Sequence, residues 1–319
     1  MTDKQTHTPP SDRGDRIAKA LARAGVGSRR DVETMIQDGR VAIDGTPVKT
    51  PATFITTLDG ITVDGQPVAA VERTRLWRLN KRRGQLTTHK DPEGRRTVFD
   101  SLPAHMGRVV SVGRLDMSTE GLLLLTNDGA LARWLELPKH GHVRRYRVRV
   151  HGTVEPRRLD ALKDGITIDG VQYDSIIATL DQQTGANAWL SVAITEGKNR
   201  EVRRVMEHLG LSVNRLIRVA YGPFTLGKLP PGAVSEVPTA QLVDLIGTYF
   251  EDAPKPVVAD TPRLTPSKWA KAKKRPTKPG DRRRAARPKN AGPKSAVPKG
   301  EKAADKHPKD GKKQGRSRP

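Results

Sequence analysis

Two short apolar stripes at helical spacing mark the first patterned segment of the chain. In DRIAKALARAG, Ile17 and Leu21 share one helical face, and Gly25 is placed to end the helix. A second helix is predicted directly afterwards, because Ser28 precedes Asp31 at the spacing of a capping box. The pattern therefore predicts two adjacent helices near the start of the chain.

A strand-turn-strand pattern follows twice. RVAIDGTPV alternates Val41 and Ile43 into an Asp44-Gly45 dipeptide, and DGITVDGQPV repeats the arrangement. Asp-Gly between alternating apolar residues is a strong hairpin signal, because both turn positions need a positive φ. Together with the two helices, these hairpins predict a small α-plus-β domain over residues 15–68.

A larger domain is predicted over residues 74–250. Its strand patterns are mixed with a few helices and do not alternate strictly with them, which favours an α+β fold around a mixed or antiparallel sheet. No G-x-G-x-x-G, P-loop or nucleophile-elbow motif occurs, which argues against nucleotide cofactors and serine hydrolysis. The strand-like segments are RLWRLN, RVVSV, GLLLLT, HVRRYRVRVHGTV, GITIDG and AWLSVAITEG, and the helix-like segments are PRRLDALKDG, REVRRVMEHLG and TAQLVDLIGTYF.

The two ends of the chain lack any apolar period. Residues 1–14 are polar, and residues 253–319 consist mainly of Lys, Arg, Pro, Ala and Gly, so both segments are predicted to be disordered. Residues 261–319 hold 21 Lys+Arg and 4 Asp+Glu and so carry 17 of the chain's 23 net positive charges. A polycation binds polyanions through counterion release, which makes nucleic acid the first partner to consider and an anionic membrane surface the second. A purely solubilising tail is the simpler alternative.

Composition narrows the chemistry and the location. The chain has no cysteine, which excludes disulfides, thiolate nucleophiles and cysteine-ligated metals. His140 and His142 are close in sequence, but solvated loop residues are favoured over metal ligands, so we expect neither a metal nor a small-molecule cofactor. No apolar run approaches a bilayer span and the first residues lack the apolar core of a signal peptide, so a cytoplasmic protein without membrane attachment is expected.

Basic residues crowd the two predicted helices of the small domain. A solvated basic face is the simple interpretation, but the basic residues also bracket a helix N-terminus, where free N–H groups favour phosphate. The stretch over about residues 15–62, with its G-x-x-S-R-R turn and GRVAIDG hairpin, closely resembles the S4 RNA-binding domain. That resemblance implies binding of structured RNA by shape and phosphate. The candidate RNA-binding residues are Arg16, Lys19, Arg23, Ser28, Arg29, Arg30 and Arg40.

One carboxylate in the larger domain stands out. Asp116 lies between Arg114 and a run of four leucines, and a strand-end turn would explain it without any chemistry. However, an acid beside a buried strand is costly without a cationic partner or a task. Downstream segments supply cations and an aromatic ring, which chemistry on an extruded nucleobase needs in addition to an ionised acid. These are Tyr146, Lys198, Arg200, Arg203 and Arg204.

The segment GRLDMSTEGLLLLTNDG resembles the signature of the RsuA/RluB branch of pseudouridine synthases, and the resemblance extends over about residues 74–247. It implies that Asp116 is the catalytic aspartate. It further implies that Tyr146 stacks on the base, that Arg203 is the partner of the aspartate and that Leu216 lines the uracil pocket, while Arg114 and Lys198 are further candidate substrate contacts. Two positions depart from the family pattern: Arg82 replaces a proline in NKRRG, and Glu201 replaces a glutamine.

The reaction that the resemblance implies is an isomerisation of uridine within RNA, which needs no metal, redox cofactor or ATP. A hydrolytic glycosidase with Asp116 and Glu120 as paired carboxylates is one alternative. An RNA-binding assembly factor without catalysis is another. The S4 segment, the basic extension and the motif set together are most similar to the members of the family that act on 23S rRNA, with 16S rRNA as the alternative. An assembling ribosomal particle is a possible partner, and nothing indicates oligomerisation, so a monomer is expected.

Overall fold

The computed structural model describes residues 14–252, so the predictions for residues 1–13 and 253–319 lie outside the described residues. The amino-terminal part contains two helices and six short strands. A four-stranded antiparallel sheet has the order β3-β2-β5-β6, and β1 pairs with β4. The elements are β1 (Asp15–Arg16), α1 (Ile17–Arg23), α2 (Arg29–Gln37), β2 (Val41–Ile43), β3 (Thr46–Pro47), β4 (Phe54–Ile55), β5 (Ile61–Val63) and β6 (Gln66–Pro67).

Local sequence signals explain why the amino-terminal part forms these helices and hairpins. Asp44 and Gly45 both have positive φ, 47° and 76°, in the tight turn between β2 and β3, so the predicted hairpin is confirmed. Ser28 and Asp31 form the predicted capping box at the start of α2. The apolar faces of both helices then pack with the strands into one buried cluster, which includes Ile17, Leu21, Val32, Ile36, Val41 and Ile61.

The second part is built on a nine-stranded sheet in the order β13-β14-β10-β15-β9-β7-β17, with β8 paired to β9 and β16 paired to β15. Its elements are β7 (Leu76–Lys81), β8 (Val110–Ser111), β9 (Glu120–Thr126), α3 (Gly129–Glu136), β10 (Arg144–His151), α4 (Pro156–Asp160), β11 (Ile166–Ile168), β12 (Val171–Tyr173), β13 (Ile176–Thr184), β14 (Asn187–Ile194), α5 (Glu201–His208), β15 (Ser212–Tyr221), β16 (Phe224–Thr225), β17 (Val234–Glu236) and α6 (Thr239–Asp252). Short 3-10 turns cover Phe99–Ser101, Ala104–Met106, Pro138–His140 and Ala161–Asp164.

The sheet is mixed, as expected for the α+β class. Most neighbouring strands run antiparallel, but β9 and β15 run parallel, with Glu120 opposite Ile217 and Gly121 opposite Arg218. This pairing joins segments almost one hundred residues apart. It brings the residues just before β9, which include Asp116, to the edge of β15.

The four leucines of β9 are buried on both faces of the sheet. Leu122 and Leu124 pack in a cluster with α3 and α6, whereas Leu123 and Leu125 pack in a second cluster with Trp77 and Leu79 of β7. Successive side chains of a strand point to opposite faces, so an unbroken apolar run requires a layer on each side. The predicted buried strand is therefore confirmed.

Within residues 14–252, no helix is long and apolar enough to cross a bilayer.

Replacing Gly121 with alanine should destabilise the protein by about 2–4 kcal/mol. Gly121 has a φ of +96°, and a Cβ there would lie 2.3 Å from the backbone oxygen of Arg218, where β9 meets β15. Urea unfolding measures the change.

Gly129→Ala is the matched control, because nothing lies within 4 Å of a Cβ at that position and its φ is not positive. We expect its stability to stay within about 1 kcal/mol of the parent. Equal stability of the two variants would contradict the close approach of β9 and β15.

Candidate active site

A pocket of about 510 Å³ opens where the loop before β9, the strands β10 and β15 and the start of α5 meet. The predicted site residues Arg114, Asp116, Tyr146, Lys198 and Leu216 all line it. They come from four separate segments of the chain. The fold therefore brings together residues that the sequence analysis selected individually.

The carboxylate of Asp116 lies in the loop between β8 and β9 with its side chain 38% exposed. Its ion-pair partner is Arg200, whose Nη1 lies 3.9 Å from Asp116 Oδ2. Arg200 has a left-handed backbone with φ 51° at the N-cap of α5, and this turns the chain just ahead of the helix. The loop before α5 thus supplies the cation nearest to Asp116.

Arg203, which the sequence analysis expected to be the partner of Asp116, forms no ion pair with it within 4.0 Å, whereas Arg200 does. Its Nη2 donates to the backbone oxygen of Ser118 at 3.2 Å, and its Nη1 donates to the backbone oxygen of Val213 at 3.3 Å. Burial lowers the pKa of this guanidinium and the nearby Arg200 lowers it further, while Asp116 opposes the shift. Arg203 therefore ties the Asp116 loop to β15 and adds positive charge near the carboxylate.

A fully buried cation, Lys81, holds the Asp116 loop from below. Burial lowers the pKa of its ammonium to about 8, and the negative charges of Asp116 and Glu120 partly oppose that shift. Sequence analysis missed Lys81, although the NKRRG segment contains it. The sequence signal that could have identified it is a lysine at the end of an apolar strand. Its Nζ donates to the backbone oxygens of Thr119 at 2.9 Å, Asp116 at 3.1 Å, Arg82 at 3.1 Å and Met117 at 3.4 Å.

Glu120, the second carboxylate of the glycosidase alternative, is already paired with an arginine. Arg215 donates to both of its oxygens at 2.9 Å, and these hydrogen bonds lower the pKa of Glu120. A general acid in glycoside hydrolysis needs a raised pKa instead. This arrangement disfavours a hydrolytic pair of Asp116 and Glu120.

The pocket walls can hold a planar heterocycle. Tyr146 on β10 and Leu216 on β15 are both buried and belong to the same apolar cluster. They lie on neighbouring strands, with Val148 of β10 opposite Leu216. An aromatic ring and an aliphatic side chain beside one carboxylate suit a flat base that has left its stack.

The two remaining predicted substrate contacts, Arg114 and Lys198, differ in whether their charges are already paired within the protein. Arg114 is exposed at the pocket. Lys198 is paired with Glu196, and this hydrogen bond raises the pKa of Lys198. Its Nζ also lies 5.8 Å from the ring centroid of Tyr173. Lys198 is therefore a less available cation than the sequence analysis assumed.

At the floor of the pocket lies a buried group of side chains that sequence analysis missed. Arg144 donates to the backbone oxygen of His142 at 3.0 Å, to Thr195 and to the hydroxyl of Tyr221 at 3.1 Å. Arg218 also lies over the Tyr221 ring and donates to the Leu122 oxygen at 2.8 Å. These cations fix β10, β15 and β9 to one another at the pocket floor.

Glu201 is a buried carboxyl in the pocket wall, where the family pattern has glutamine. Its Oε2 accepts the backbone N–H of Lys198 at 2.9 Å, while its Oε1 is buried without a hydrogen-bond partner. Burial raises the pKa of Glu201 to about 7. The side chain therefore supports the loop that carries Arg200 at an electrostatic cost.

The predicted RNA-binding residues of the small domain differ in whether their side chains are already engaged within the protein. Arg16, Arg29 and Arg30 are exposed. Lys19 pairs with Asp15 at 2.6 Å, and Arg40 makes two hydrogen bonds to Asp64. Ser28 uses its hydroxyl to cap α2, and the carboxylate of Asp31 at the same helix end weakens the case for phosphate binding there.

Arg23 requires a correction. Its side chain is 12% exposed and lies 3.5 Å from Asp128, and it donates to Thr74 Oγ1 at 3.1 Å and to the Asn127 oxygen at 3.4 Å. Arg23 therefore joins the small domain to the larger one and is not a free RNA-binding cation. Long-range partners of this kind cannot be inferred from helical spacing.

His140 and His142 are not the solvated loop residues that the sequence favoured. Their rings lie 4.4 Å and 5.1 Å from the Trp134 ring, and the Nε2 atoms of both are buried without a hydrogen-bond partner. Burial lowers the pKa of His142. Among residues 14–252, no cluster of three or more His, Cys, Asp or Glu side chains is arranged to hold a metal.

Fold and pocket together define a class: a small basic domain joined to a mixed-sheet domain whose pocket is suited to an RNA base. An RNA pseudouridylate synthase family model matches residues 75–208, and an S4 domain model matches residues 15–61. The chain is 45% identical over 222 residues to an uncharacterized RNA pseudouridine synthase of Rickettsia felis, covering 70% of this chain and 96% of the relative.

Further relatives agree. The ribosomal large subunit pseudouridine synthase B of Salmonella typhimurium is 42% identical over 235 residues, covering 71% of this chain and 80% of the relative. A crystal structure of a pseudouridylate synthase has a TM-score of 0.52 at 27% identity and covers 72% of this chain and 99% of that chain. The chain belongs to the RNA pseudouridine synthase family and carries an S4 domain. The resemblance, the α+β fold and the enzyme class expected from the sequence are thereby confirmed.

Replacing Glu201 with glutamine should stabilise the protein in a pH-dependent way. The folded-state pKa of about 7 exceeds the ordinary value of 4.5, so the folded state binds the proton more tightly than the unfolded state does. The parent protein therefore loses stability as pH rises from about 4.5 to 7, by at most about 3 kcal/mol. Glutamine keeps an acceptor for Lys198 and has no charge to bury.

Thermal unfolding from pH 4.5 to 8.5 measures this effect. The advantage of Glu201→Gln over the parent should be near zero at the acidic end and should reach its maximum above pH 7. Glu207→Gln, an exposed position on the same helix, is the control. A gap between Glu201→Gln and parent that does not change with pH would contradict the buried, protonated carboxyl.

Proposed function

We propose that this protein converts uridine to pseudouridine in ribosomal RNA with Asp116 as the catalytic group and without a cofactor. The observation that carries the proposal is the position of Asp116 at the mouth of a pocket walled by Tyr146 and Leu216. The isomerisation breaks the bond between ribose C1′ and uracil N1, rotates the base and joins uracil C5 to the same C1′. A proton leaves C5 and a proton is gained at N1, so no external oxidant or reductant is needed.

The residues around Asp116 have distinct roles in this proposal. Asp116 acts at ribose C1′, at uracil C6 or on a ribose proton, and each course requires its carboxylate next to the nucleoside. Arg200 offsets the negative charge of Asp116, and Arg203 holds the loop through Ser118. The backbone contacts of Lys81 fix the loop further.

The pocket walls act on the base. A uridine in folded RNA must leave its stack to reach the carboxylate, and the Tyr146 ring replaces the lost stacking. Leu216, which is buried on β15, keeps water away from the freed base. Exclusion of water favours rejoining over release of free uracil.

We propose 23S rRNA as the substrate. Several relatives at 41–42% identity are named ribosomal large subunit pseudouridine synthase B, which supports the large subunit over 16S rRNA. The S4 segment, which we assign to residues 15–68, and the basic extension from residue 253 would add phosphate contacts to the site in residues 74–250. The protein then acts as a cytoplasmic monomer on rRNA or on an assembling ribosomal particle.

Asp116→Asn should abolish the modification while RNA binding persists. Removing a group that acts only in the transition state lowers the rate without removing ground-state contacts, and we expect a loss of at least about 10³-fold. The measurement is nucleotide-resolution mapping of pseudouridine in 23S and 16S rRNA from cells that contain the parent or the variant. Asp160→Asn, at an exposed aspartate of the same domain, is the matched control.

Loss of one 23S site in the Asp116→Asn cells, with the control unchanged, is the expected result. Loss of a 16S site instead would support the chemistry and overturn the choice of subunit. An identical map in all cells, together with retained RNA binding, would favour the assembly-factor alternative over catalysis.

A further inference from the structure

A second cavity, of about 670 Å³, lies between the S4 domain and the larger domain. The α1–α2 segment supplies one wall, with Lys19, Arg23 and Arg29. The residues before β8 and on α3 supply the opposite wall, with Arg108 and Arg133. Five cationic side chains, from α1, α2, α3 and the segment before β8, therefore face one cleft.

The acidic side chains of this cleft are already engaged. Asp15 pairs with Lys19 at 2.6 Å, and Asp128 pairs with Arg23 at 3.5 Å. Asp128 also caps α3 and accepts the hydroxyls of Thr74 and Tyr249. Glu136 accepts the backbone N–H of Gly113 at 2.8 Å. The charge of Lys19 and Arg23 is thus largely balanced within the protein.

Three arginines of the cleft have no direct partner within the described residues. Among residues 14–252, the side chains of Arg29, Arg108 and Arg133 have no hydrogen bond and no ion pair within 4.0 Å. Arg108 is also half-buried, and burial lowers the pKa of its guanidinium, while the negative charge of Asp31 partly opposes that shift. A partly desolvated guanidinium without an acceptor is costly, and an entering anion would offset that cost.

The cleft leads to the Asp116 pocket. Glu136 lines both cavities, and its contact with Gly113 places it at the start of the loop that carries Asp116. Val110 and Ser111 of β8 line the cleft only a few residues before that loop. A polymer lying in the cleft can therefore continue to a base seated at Asp116.

We propose that this cleft binds the sugar–phosphate backbone of the RNA strand next to the uridine at Asp116. Arg29, Arg108 and Arg133 contact its phosphates. The inference rests on the proposed function, because it takes RNA as the substrate. The planar guanidinium donates two parallel hydrogen bonds to phosphate oxygens, and such contacts set the register of the RNA without reading its sequence. The Arg23–Asp128 pair helps to hold the two walls at this spacing.

The test uses the full-length protein with Arg108→Gln, Arg133→Gln and the double variant. Arg157→Gln is the matched control, since Arg157 is exposed on α4 and lines neither cavity. The dissociation constant for a 23S rRNA fragment is measured over a series of salt concentrations. Each cleft substitution should weaken binding by about 5–50-fold and reduce the slope of log K against log salt by about 1.

An Arg108→Lys variant separates guanidinium geometry from charge. It should keep most of the salt slope but bind more weakly than the parent, because an ammonium lacks the paired donors. Thermal unfolding of every variant checks that the fold is retained. Losses at Arg108 and Arg133 no larger than the loss at Arg157 would overturn the cleft as an RNA site.

The binding readout keeps this proposal separate from the catalytic one. If Asp116→Asn left the modification intact but the cleft variants lost affinity and salt slope, the cleft would stand and the catalytic assignment would fall. If Asp116→Asn abolished the modification but the cleft variants bound RNA as the parent does, the catalytic assignment would stand and the cleft proposal would fall.

Discussion

The burial of one ammonium group beneath the Asp116 loop is the constraint on which the site depends. Lys81 is fully buried at the end of β7 and donates to the backbone oxygens of Asp116 and Thr119, among others. These oxygens converge on one point only if the loop keeps its shape. Since the contacts are to the backbone, they fix the loop and leave the Asp116 carboxylate free for the pocket. A buried charge of this kind is retained at a cost in stability, which the lowered pKa of Lys81 reflects.

The parallel pairing of β9 with β15 also fixes the position of the Asp116 loop. It places Leu216 and Arg218 beside the loop, and the tight contact at Gly121 leaves no room for a side chain. Arg203 connects Ser118 to Val213 across the same boundary. The pocket is therefore a consequence of long-range strand pairing, and each of its walls comes from a different part of the chain.

Sequence reasoning succeeded where the signal is local and failed where it is tertiary. The hairpins and the capping box follow from turn and cap chemistry within a few residues, and a motif of high specificity selected Asp116. The left-handed backbone of Arg200 has no signature in a non-glycine residue. The family resemblance selected Arg203 as the partner of Asp116, and the approach of Arg200 to Asp116 could not be inferred from it. Arg23 was assigned to RNA because its partner, Asp128, lies more than one hundred residues away. Helix α3 and strands β13 and β15 were missed, since polar and charged residues interrupt their apolar patterns.

The most direct test of this account is the replacement of Lys81 by methionine, with exposed Lys163→Met as the control. Two quantities are compared with the parent: the single-turnover rate on 23S rRNA and hydrogen exchange of the amides at residues 113–119. The account predicts faster exchange in this loop and a rate lowered by about 100-fold, since a displacement of about 1 Å at a reacting group costs that much. RNA affinity should change little, because Lys81 lies beneath the loop and not at either cavity surface. A rate within twofold of the parent, with the loop still protected from exchange, would contradict the account.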